Sequence, residues 1–200
     1  MEATDGAPAY WAVIPAAGSG RRMTGETPKQ YRMLRDRHLI EHSIVPLLDQ
    51  PRVRRIVVVL AEGDQLWSRL PLARDRRLAI AQGGEERWQS VLSGLRALAA
   101  DAGENDPVLV HDAARPCLTR GDLDALMFDP EALKHGGLLG GRVADTLKRG
   151  DDRDRVVETI DRAPLWRALT PQMFPFRMLR DALERVERQG GAVTDDCEAV

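Results

Sequence analysis

Hydrophobic and polar positions follow two recurring patterns along this chain. Short runs rich in β-branched residues alternate with stretches in which apolar residues recur at helical spacing. The run at 55–60 is almost continuously apolar, as is typical of a strand buried on both faces of a parallel sheet. The chain is therefore predicted to have an α/β fold, a mostly parallel Rossmann-like sheet with helices on both faces. The predicted strands are 10–14, 55–60, 78–82 and 108–111, and the predicted helices are 40–48, 64–70, 86–99 and 122–127.

Glycines and charged residues gather where the predicted strands end. Residues 15–23 follow the first strand, 83–87 follow the third and 112–116 follow the fourth, and each stretch contains arginine. Sheets of this class bind ligands outside the carboxyl ends of their strands, so these stretches should share one rim. Glycines, arginines and an acidic residue at one rim predict a site for a phosphate-bearing ligand together with a metal ion.

The region 142–162 has a different pattern. Two short extended segments, 143–147 and 156–160, flank a turn at 148–155 that consists almost wholly of charged residues. This pattern predicts a protruding β-ribbon. Because an isolated two-stranded ribbon is only marginally stable in water, it should pack against something, and a second copy of the chain is the natural candidate. We therefore expect a dimerisation arm, with a mobile surface hairpin as the alternative.

Composition narrows the class of protein. The 200 residues are 43% hydrophobic and 30% charged with a net charge of −2, so 1–200 is expected to form a single globular domain. The near-zero charge argues against a polybasic nucleic-acid binder. The N-terminal residues lack a signal-peptide pattern, and the apolar runs are far too short for a membrane span. Two cysteines without metal-type spacing indicate free thiols, and we predict a cytoplasmic protein that binds neither nucleic acid nor membrane.

The loop at 16–30 carries the strongest chemical signal. Gly18 and Gly20 allow close approach of the backbone, whose N–H groups can cradle phosphate oxygens. The dinucleotide fingerprint fails because Met23 replaces its third glycine, and no Lys-Ser/Thr pair completes a Walker A pattern. Arginines 21 and 22, together with Lys29, add positive charge that favours a bound anion over the alternative of a loop with solvated cations.

Seven short strings occur in order, and together they resemble the 2-C-methyl-D-erythritol 4-phosphate cytidylyltransferase family of the nucleotidyltransferase superfamily. The first string alone would indicate only the wider superfamily, whereas V-H-D-A-A-R-P at 110–116 and L-T-P-Q at 169–172 are much more specific. The resemblance extends from about residue 11 to the end of the chain. The strings lie at 16–30, 41–43, 83–91, 110–116, 145–148, 161–172 and 194–196.

The resemblance implies a reaction. The phosphate of methylerythritol phosphate would attack the α-phosphorus of CTP, and pyrophosphate would leave with Mg²⁺. Because the nucleophile is already an anion, no general base is needed, and positioning and charge neutralisation would carry catalysis. Consistently, the chain contains no convincing nucleophile–base set, and His111 is expected only to pack or hydrogen-bond locally.

Residue roles follow from the same motif matches. The resemblance assigns catalysis to Arg22, Lys29 and Arg162. It assigns substrate binding to Asp112, Arg115 and Thr146, with Asp112 also ligating Mg²⁺. Arg162 would act in the site of the partner subunit of a homodimer. For Asp112 the alternative is a strand-end cap, and for Arg162 it is a surface salt bridge. Nucleotide binding is assigned to Ala16, Ala17, Gly18, Gly20, Gly84, Glu85, Ser90 and Ala113.

Several alternatives stay open at the level of sequence. The acceptor could be ribitol 5-phosphate, a sugar 1-phosphate or molybdopterin, or the chain could bind CTP without catalysis. A dinucleotide-binding oxidoreductase is more distant because its third glycine is missing. Residues 194–198 read as a helix start with a capping box between Asp195 and Glu198. The family continues further with a lysine near the substrate phosphate, so we expect this chain to be part of a longer protein.

Overall fold

A six-stranded sheet forms the centre of the molecule. In this computed structural model the described residues are 8–18, 27–191 and 193–200. Four neighbouring strands run parallel, and the fifth is antiparallel to its neighbours on both sides. The prediction of a mostly parallel sheet is thus confirmed. The strands in spatial order are β5 (Leu78–Gln82), β4 (Val53–Leu60), β1 (Tyr10–Pro15), β6 (Pro107–Val110), β10 (Trp166–Pro175) and β7 (Gly137–Arg142).

Helices cover both faces of this sheet. α1 (Leu39–Leu48) and α3 (Arg120–Met127) lie with α4 (Pro130–His135) on one face, while α2 (Arg87–Leu98) and α5 (Phe176–Gln189) lie on the other. A last helix, α6 (Asp196–Ala199), packs against α5. Within the described residues no helix has the length and apolar character needed to cross a membrane.

Strand β4 shows why the sheet is buried on both faces. Ile56 and Val58 pack into the core beneath α1, and Val57 and Val59 pack into the core beneath α2, all without solvent exposure. Successive side chains of a strand point to opposite faces, so a run of four apolar residues serves both cores at once. Full burial of each such side chain contributes roughly 1.5–3 kcal/mol.

One predicted helix is wrong. The stretch 64–70 forms no α-helix but leads into two short 3-10 helices, Trp67–Arg69 and Pro71–Arg74. The Asp64 carboxylate accepts hydrogen bonds from the backbone N–H groups of Leu66 and Trp67 at 2.9 and 3.0 Å, which satisfies these donors within a tight turn. Pro71 cannot donate a backbone hydrogen bond, so the first short helix cannot continue through it.

The predicted ribbon is present with one boundary corrected. β8 (Leu147–Gly150) and β9 (Val156–Ile160) form an antiparallel hairpin that is not hydrogen-bonded to the main sheet. The first strand begins at Leu147, later than the expected start at 143, and it includes residues expected in the turn. The Asp151 carboxylate ties the turn by accepting from the N–H groups of Arg153 and Arg155, each at 2.9 Å. A smaller hairpin, β2 (Met33–Leu34) with β3 (Arg37–His38), precedes α1.

Candidate active site

The loops that follow β1, β5 and β6 meet at one rim of the sheet, as predicted. A Cβ added at Gly83 would lie against the Ala17 side chain and 2.8 Å from Ser90 Oγ, so the first and third strand-end loops touch. Glycine is required at this close approach. Ala17 and Gly83 are half-buried, while Gly18 and Gly84 are exposed towards solvent. The rim therefore presents backbone rather than bulky side chains.

The glycine-rich loop is anchored at its base. Ala16 donates its N–H to Val59 O at 2.8 Å, and the buried Gln30 side chain donates to Ala16 O at 2.7 Å. Lys29 begins a short 3-10 helix, Lys29–Tyr31, and is exposed at the rim. The Gln30 contact thus holds Lys29 next to the loop. Gly20 and Arg22 lie outside the described residues.

The loop after β5 is held by the start of α2. Ser90 is buried, and its hydroxyl accepts a hydrogen bond from Gly84 N at 3.3 Å. The Glu86 N–H donates to Gln89 Oε1 at 2.9 Å, which closes the first turn and starts the helix at Arg87. Glu85 is exposed in this loop. Ser90 therefore shapes the loop from below, and Gly84 and Glu85 form the surface of the loop.

Asp112 lies at the carboxyl end of β6 between two guanidinium groups. Its Oδ1 accepts from Arg87 Nε at 3.0 Å, and its Oδ2 accepts from Arg115 Nε at 2.8 Å. Burial raises the pKa of Asp112, but the charges of Arg87 and Arg115 outweigh it and leave the pKa below its usual range. The carboxylate is ionised at neutral pH, and each oxygen accepts one N–H, so lone pairs remain for a further ligand.

A buried hydrogen-bonded chain supports Asp112 from the antiparallel strand β10. Thr170 Oγ1 accepts from Asp112 N at 3.2 Å and lies 2.9 Å from His111 Nδ1. The other ring nitrogen of His111 lies 3.2 Å from Arg115 O, which can only accept, so Nε2 carries the proton and Thr170 donates to Nδ1. Burial lowers the pKa of His111 to about 4. The expectation that His111 bonds locally is confirmed.

Arg87 also reaches the C-terminal helix. Its Nη1 donates to Asp196 Oδ2 at 2.9 Å, and the Asp196 side chain is fully buried. Burial raises the pKa of Asp196, an effect that Arg87 opposes only in part.

The capping box predicted at the start of α6 is half correct. Asp195 accepts a hydrogen bond from Glu198 N at 2.9 Å, but the Glu198 carboxylate binds Thr194 rather than the Asp195 N–H.

Four residues of this cluster were quoted in sequence motifs but given no role. Arg87 comes three residues after the two glycines that follow β5. A cation so close to a strand end was the signal in the sequence that could have identified it. Thr170, which contacts Asp112, and Gln172, which holds Asp196, lie on β10, so their place in the cluster depends on β10 lying beside β6. That pairing could not be derived from local patterns.

The remaining predicted residues divide into two groups. Ala113 is buried directly after Asp112, and its carbonyl accepts from Ser43 Oγ at 3.2 Å. Thr146 and Arg162 are exposed at the base of the arm, where Arg162 donates to Ala144 O. Within the described residues, no hydrogen bond or ion pair joins them to Asp112 or its arginines. The chain alone does not bring these two residues into the cluster.

The side chains at the rim fit one mode of magnesium binding. Among the described residues no three His, Cys, Asp or Glu side chains come together as a metal cage. Mg²⁺ bound with a nucleotide uses one or two carboxylates plus phosphate oxygens and water, so an ionised Asp112 with spare lone pairs fits this mode.

A separate cavity has a volume of about 690 Å³. It is lined by Tyr31, His38 and Leu66 among others, and none of the predicted site residues lines it.

A mostly parallel sheet whose strand-end loops gather glycines, cations and one carboxylate defines a nucleotidyltransferase of the α/β class. The comparisons with known proteins specify which one. The profile of the family described as 2-C-methyl-D-erythritol 4-phosphate cytidylyltransferase matches residues 10–200, and this chain belongs to that family. The resemblance inferred from the sequence motifs is confirmed.

Individual relatives agree with this assignment. The 2-C-methyl-D-erythritol 4-phosphate cytidylyltransferase of Tolumonas auensis is 48% identical over 191 residues, covering 96% of this chain and 82% of the relative. The protein of the same name from Escherichia coli O1:K1 is 46% identical over 190 residues, covering 94% and 79%. A crystal structure of 4-diphosphocytidyl-2C-methyl-D-erythritol synthase matches with a TM-score of 0.80 at 33% identity, covering 96% of this chain and 83% of that one. The Francisella tularensis 2-C-methyl-D-erythritol 4-phosphate cytidylyltransferase matches with a TM-score of 0.78 at 27% identity, covering 96% and 84%.

Proposed function

We propose that this protein transfers CMP from CTP to 2-C-methyl-D-erythritol 4-phosphate and releases pyrophosphate, a step of isoprenoid precursor synthesis. Family membership over residues 10–200 supports the reaction. The observation that carries it is the rim itself, where Lys29, the loop around Gly84 and the Asp112 cluster follow three strands of one sheet. CTP and the polyol phosphate are the proposed ligands. We also propose a cytoplasmic location, in keeping with the two unpaired cysteines.

The chain's contribution to catalysis would be charge and position rather than proton transfer. His111 has both ring nitrogens engaged and a pKa of about 4, so it is neutral and occupied at neutral pH. It therefore cannot serve as a general base, and a phosphate nucleophile does not need one. Lys29 and Arg22 would neutralise the charge that develops on the transferred phosphoryl group and on pyrophosphate.

Asp112 and Arg115 would receive the acceptor and the metal. Arg115 has a side chain that is 42% exposed and, among the described residues, one ion-pair partner, so it can turn to a phosphate group that enters the site. Asp112 would hold Mg²⁺ through its remaining lone pairs. When bound with CTP, Mg²⁺ supplies charge neutralisation for the phosphate oxygens. Ala16, Ala17, Gly18 and Gly20 would line the phosphates, and Gly84, Glu85, Ser90 and Ala113 would hold the nucleoside.

A homodimer through the arm completes the proposal. Val156 and Val157 of β9 are 65% and 58% exposed, and Trp166 at the start of β10 is 55% exposed. Exposed large apolar side chains on the arm and at the start of β10 favour a covered surface over a solvated one. In the dimer, Arg162 and Thr146 of one subunit would serve the acceptor phosphate.

The direct test is pyrophosphate release with Mg²⁺ and CTP. Methylerythritol phosphate is compared with ribitol 5-phosphate and a sugar 1-phosphate under the same conditions. We expect turnover with methylerythritol phosphate alone. Turnover with another acceptor would reassign the substrate. Saturable CTP binding without turnover on any acceptor would instead support a non-catalytic CTP-binding protein.

A substitution at Lys29 tests the catalytic role of the loop. We expect Lys29→Ala to lower kcat at least about 100-fold, because a unit charge near 4 Å is worth roughly 4 kcal/mol at an effective dielectric constant of about 20. Lys134→Ala is the matched control, since Lys134 is an exposed lysine in the last turn of α4. Single-turnover rates distinguish chemistry from product release. Wild-type chemistry in Lys29→Ala would contradict the assignment.

A further inference from the structure

We propose that Asp196 and Arg87 are positioning residues that hold the Asp112 carboxylate in its working orientation. The inference rests on the proposed function, because it concerns the group that receives the acceptor and the metal. Arg87 spans two carboxylates with different atoms, Nε to Asp112 at 3.0 Å and Nη1 to Asp196 at 2.9 Å. The first residue of α2 is thereby fixed between the end of β6 and the first residue of α6.

Of the two carboxylates that Arg87 bridges, Asp196 is the more deeply buried. Asp196 is fully buried, and its backbone N–H donates to Gln172 Oε1 at 3.1 Å, which ties the start of α6 to β10. A buried carboxylate without a cation is strongly unfavourable, so Asp196 cannot release Arg87 without a large penalty. Asp196 Oδ1 and Arg87 Nη2 have no hydrogen-bond partner among the described residues, which leaves the Nη1–Oδ2 contact to carry the pair.

The two arginines beside Asp112 differ in the way that this role requires. The Arg87 side chain is 29% exposed and has two carboxylate partners, whereas the Arg115 side chain is 42% exposed and has one. An incoming phosphate can compete for Arg115 but not easily for Arg87. Once Arg115 turns to the substrate, Arg87 is the remaining ion-pair partner of Asp112 within the part of the chain that the structure describes. Of the two, Arg115 is thus the more exposed cation and Arg87 the more buried one.

Removal of the Asp196 charge tests this arrangement. Asp196→Asn keeps the shape and the backbone contact to Gln172 but weakens the hold on Arg87. We expect kcat/KM for the acceptor to fall about 10- to 100-fold, as for other groups that orient a ligating side chain. The affinity for CTP measured without Mg²⁺ should be unchanged, because Asp112 would act on the nucleotide through the metal. Glu198→Gln is the control within the same helix, because Glu198 caps α6 through Thr194 without touching Arg87. It should retain wild-type kinetics.

A double-mutant cycle with Asp112→Asn separates positioning from simple stabilisation. If Asp196 acts through Asp112, the double variant should be no slower than Asp112→Asn alone. Losses that multiply, or wild-type kinetics in Asp196→Asn, would overturn the proposal. Acceptor affinity measured by calorimetry, with a CTP analogue whose α,β-bridge cannot be cleaved, should show the same non-additivity without turnover.

If Asp196→Asn does not fold, a second variant tests the same proposal. Arg87→Lys keeps the positive charge but cannot span both carboxylates, so the same loss and the same dependence on Asp112 are expected. Normal acceptor kinetics in a folded Arg87→Lys would overturn the proposal. Wild-type turnover is measured first. If the wild-type protein transfers CMP to no acceptor, the proposed function fails, and the calorimetric cycle still tests the positioning.

Discussion

Neutral His111 lies directly beside the charged Asp112, and its protonation should contribute to the pH dependence of stability. In the unfolded chain a histidine titrates near its usual value of 6.5, whereas burial lowers the pKa of His111 to about 4 in the folded protein. Between these values the unfolded state binds more protons. The stability contributed by neutral His111 is therefore complete above about pH 6.5 and is lost as the pH falls towards 4.

This pH effect is measurable by substitution. We expect His111→Asn, whose amide oxygen can still accept from Thr170, to flatten the fall in unfolding free energy between pH 6.5 and 4 by on the order of 2–3 kcal/mol. Urea denaturation at several pH values provides the measurement. His135→Asn, at an exposed position in α4, is the matched histidine control. An unchanged slope in His111→Asn would show that His111 is not the group responsible.

At the residue scale the sequence predicted that Asp112 and Arg115 lie together, but not which residues join them to the rest of the cluster. Asp112 and Arg115 belong to one short motif, so their proximity was predictable from residues 110–116 alone. The contact of Asp112 with Thr170 requires two strands 58 residues apart to pair, and no local pattern specifies that pairing. Tertiary pairing, rather than residue propensity, determined the missing part of the site.

Among the elements, helix α2 is packed so closely that a single methyl group should matter. A Cβ added at Gly94 would lie 2.5 Å from Val13 Cγ1 and 3.1 Å from Val59 Cγ2, both in the buried sheet. We expect Gly94→Ala to destabilise the protein by about 1–3 kcal/mol through overpacking, despite the roughly 1 kcal/mol by which alanine favours a helix. Chemical denaturation gives the difference.

The same substitution in α3 is the matched control. A Cβ at Gly121 would have as its nearest neighbour Thr119 Oγ1 at 3.9 Å, which is ordinary contact. Gly121→Ala should therefore be neutral or stabilising by about 0.4–1 kcal/mol. If both variants gained stability, the close approach of α2 to β1 and β4 would not be rigid.

Local periodicity did not by itself decide which elements were predicted, because α5 buries Phe176, Leu179 and Leu183 at helical spacing and was not predicted. The four predicted strands and three of the four predicted helices are present, with ends shifted by a residue or two. Strand β10 was not predicted because Arg167, Thr170 and Pro171 interrupt its apolar pattern. It is a strand because it lies between β6 and β7, where its buried half completes the core.

At the scale of the whole molecule, the arm carries apolar surface that the single chain does not cover. Val156 and Val157 are exposed on β9, whereas most valines of the main sheet are fully buried. The proposed dimer would cover them and place Arg162 in the site of the other subunit. Assembly and catalysis would then be one property, since neither subunit would have a complete site alone.

Mixed dimers test this sharing of sites. Lys29→Ala and Arg162→Ala subunits are each expected to be nearly inactive, and their equal mixture should recover about a quarter of wild-type activity. Half of the random dimers are mixed, and in each of these one site has both native residues while the other has neither. If Arg162 acted within its own chain, every site would keep one defect and mixing would restore nothing. Val156→Ser and Val157→Ser, introduced together into both chains, should give monomers in sedimentation and abolish the recovery of activity. Ile80→Ser is the control, because Ile80 on β5 is similarly exposed. It should preserve both the dimer and the recovery.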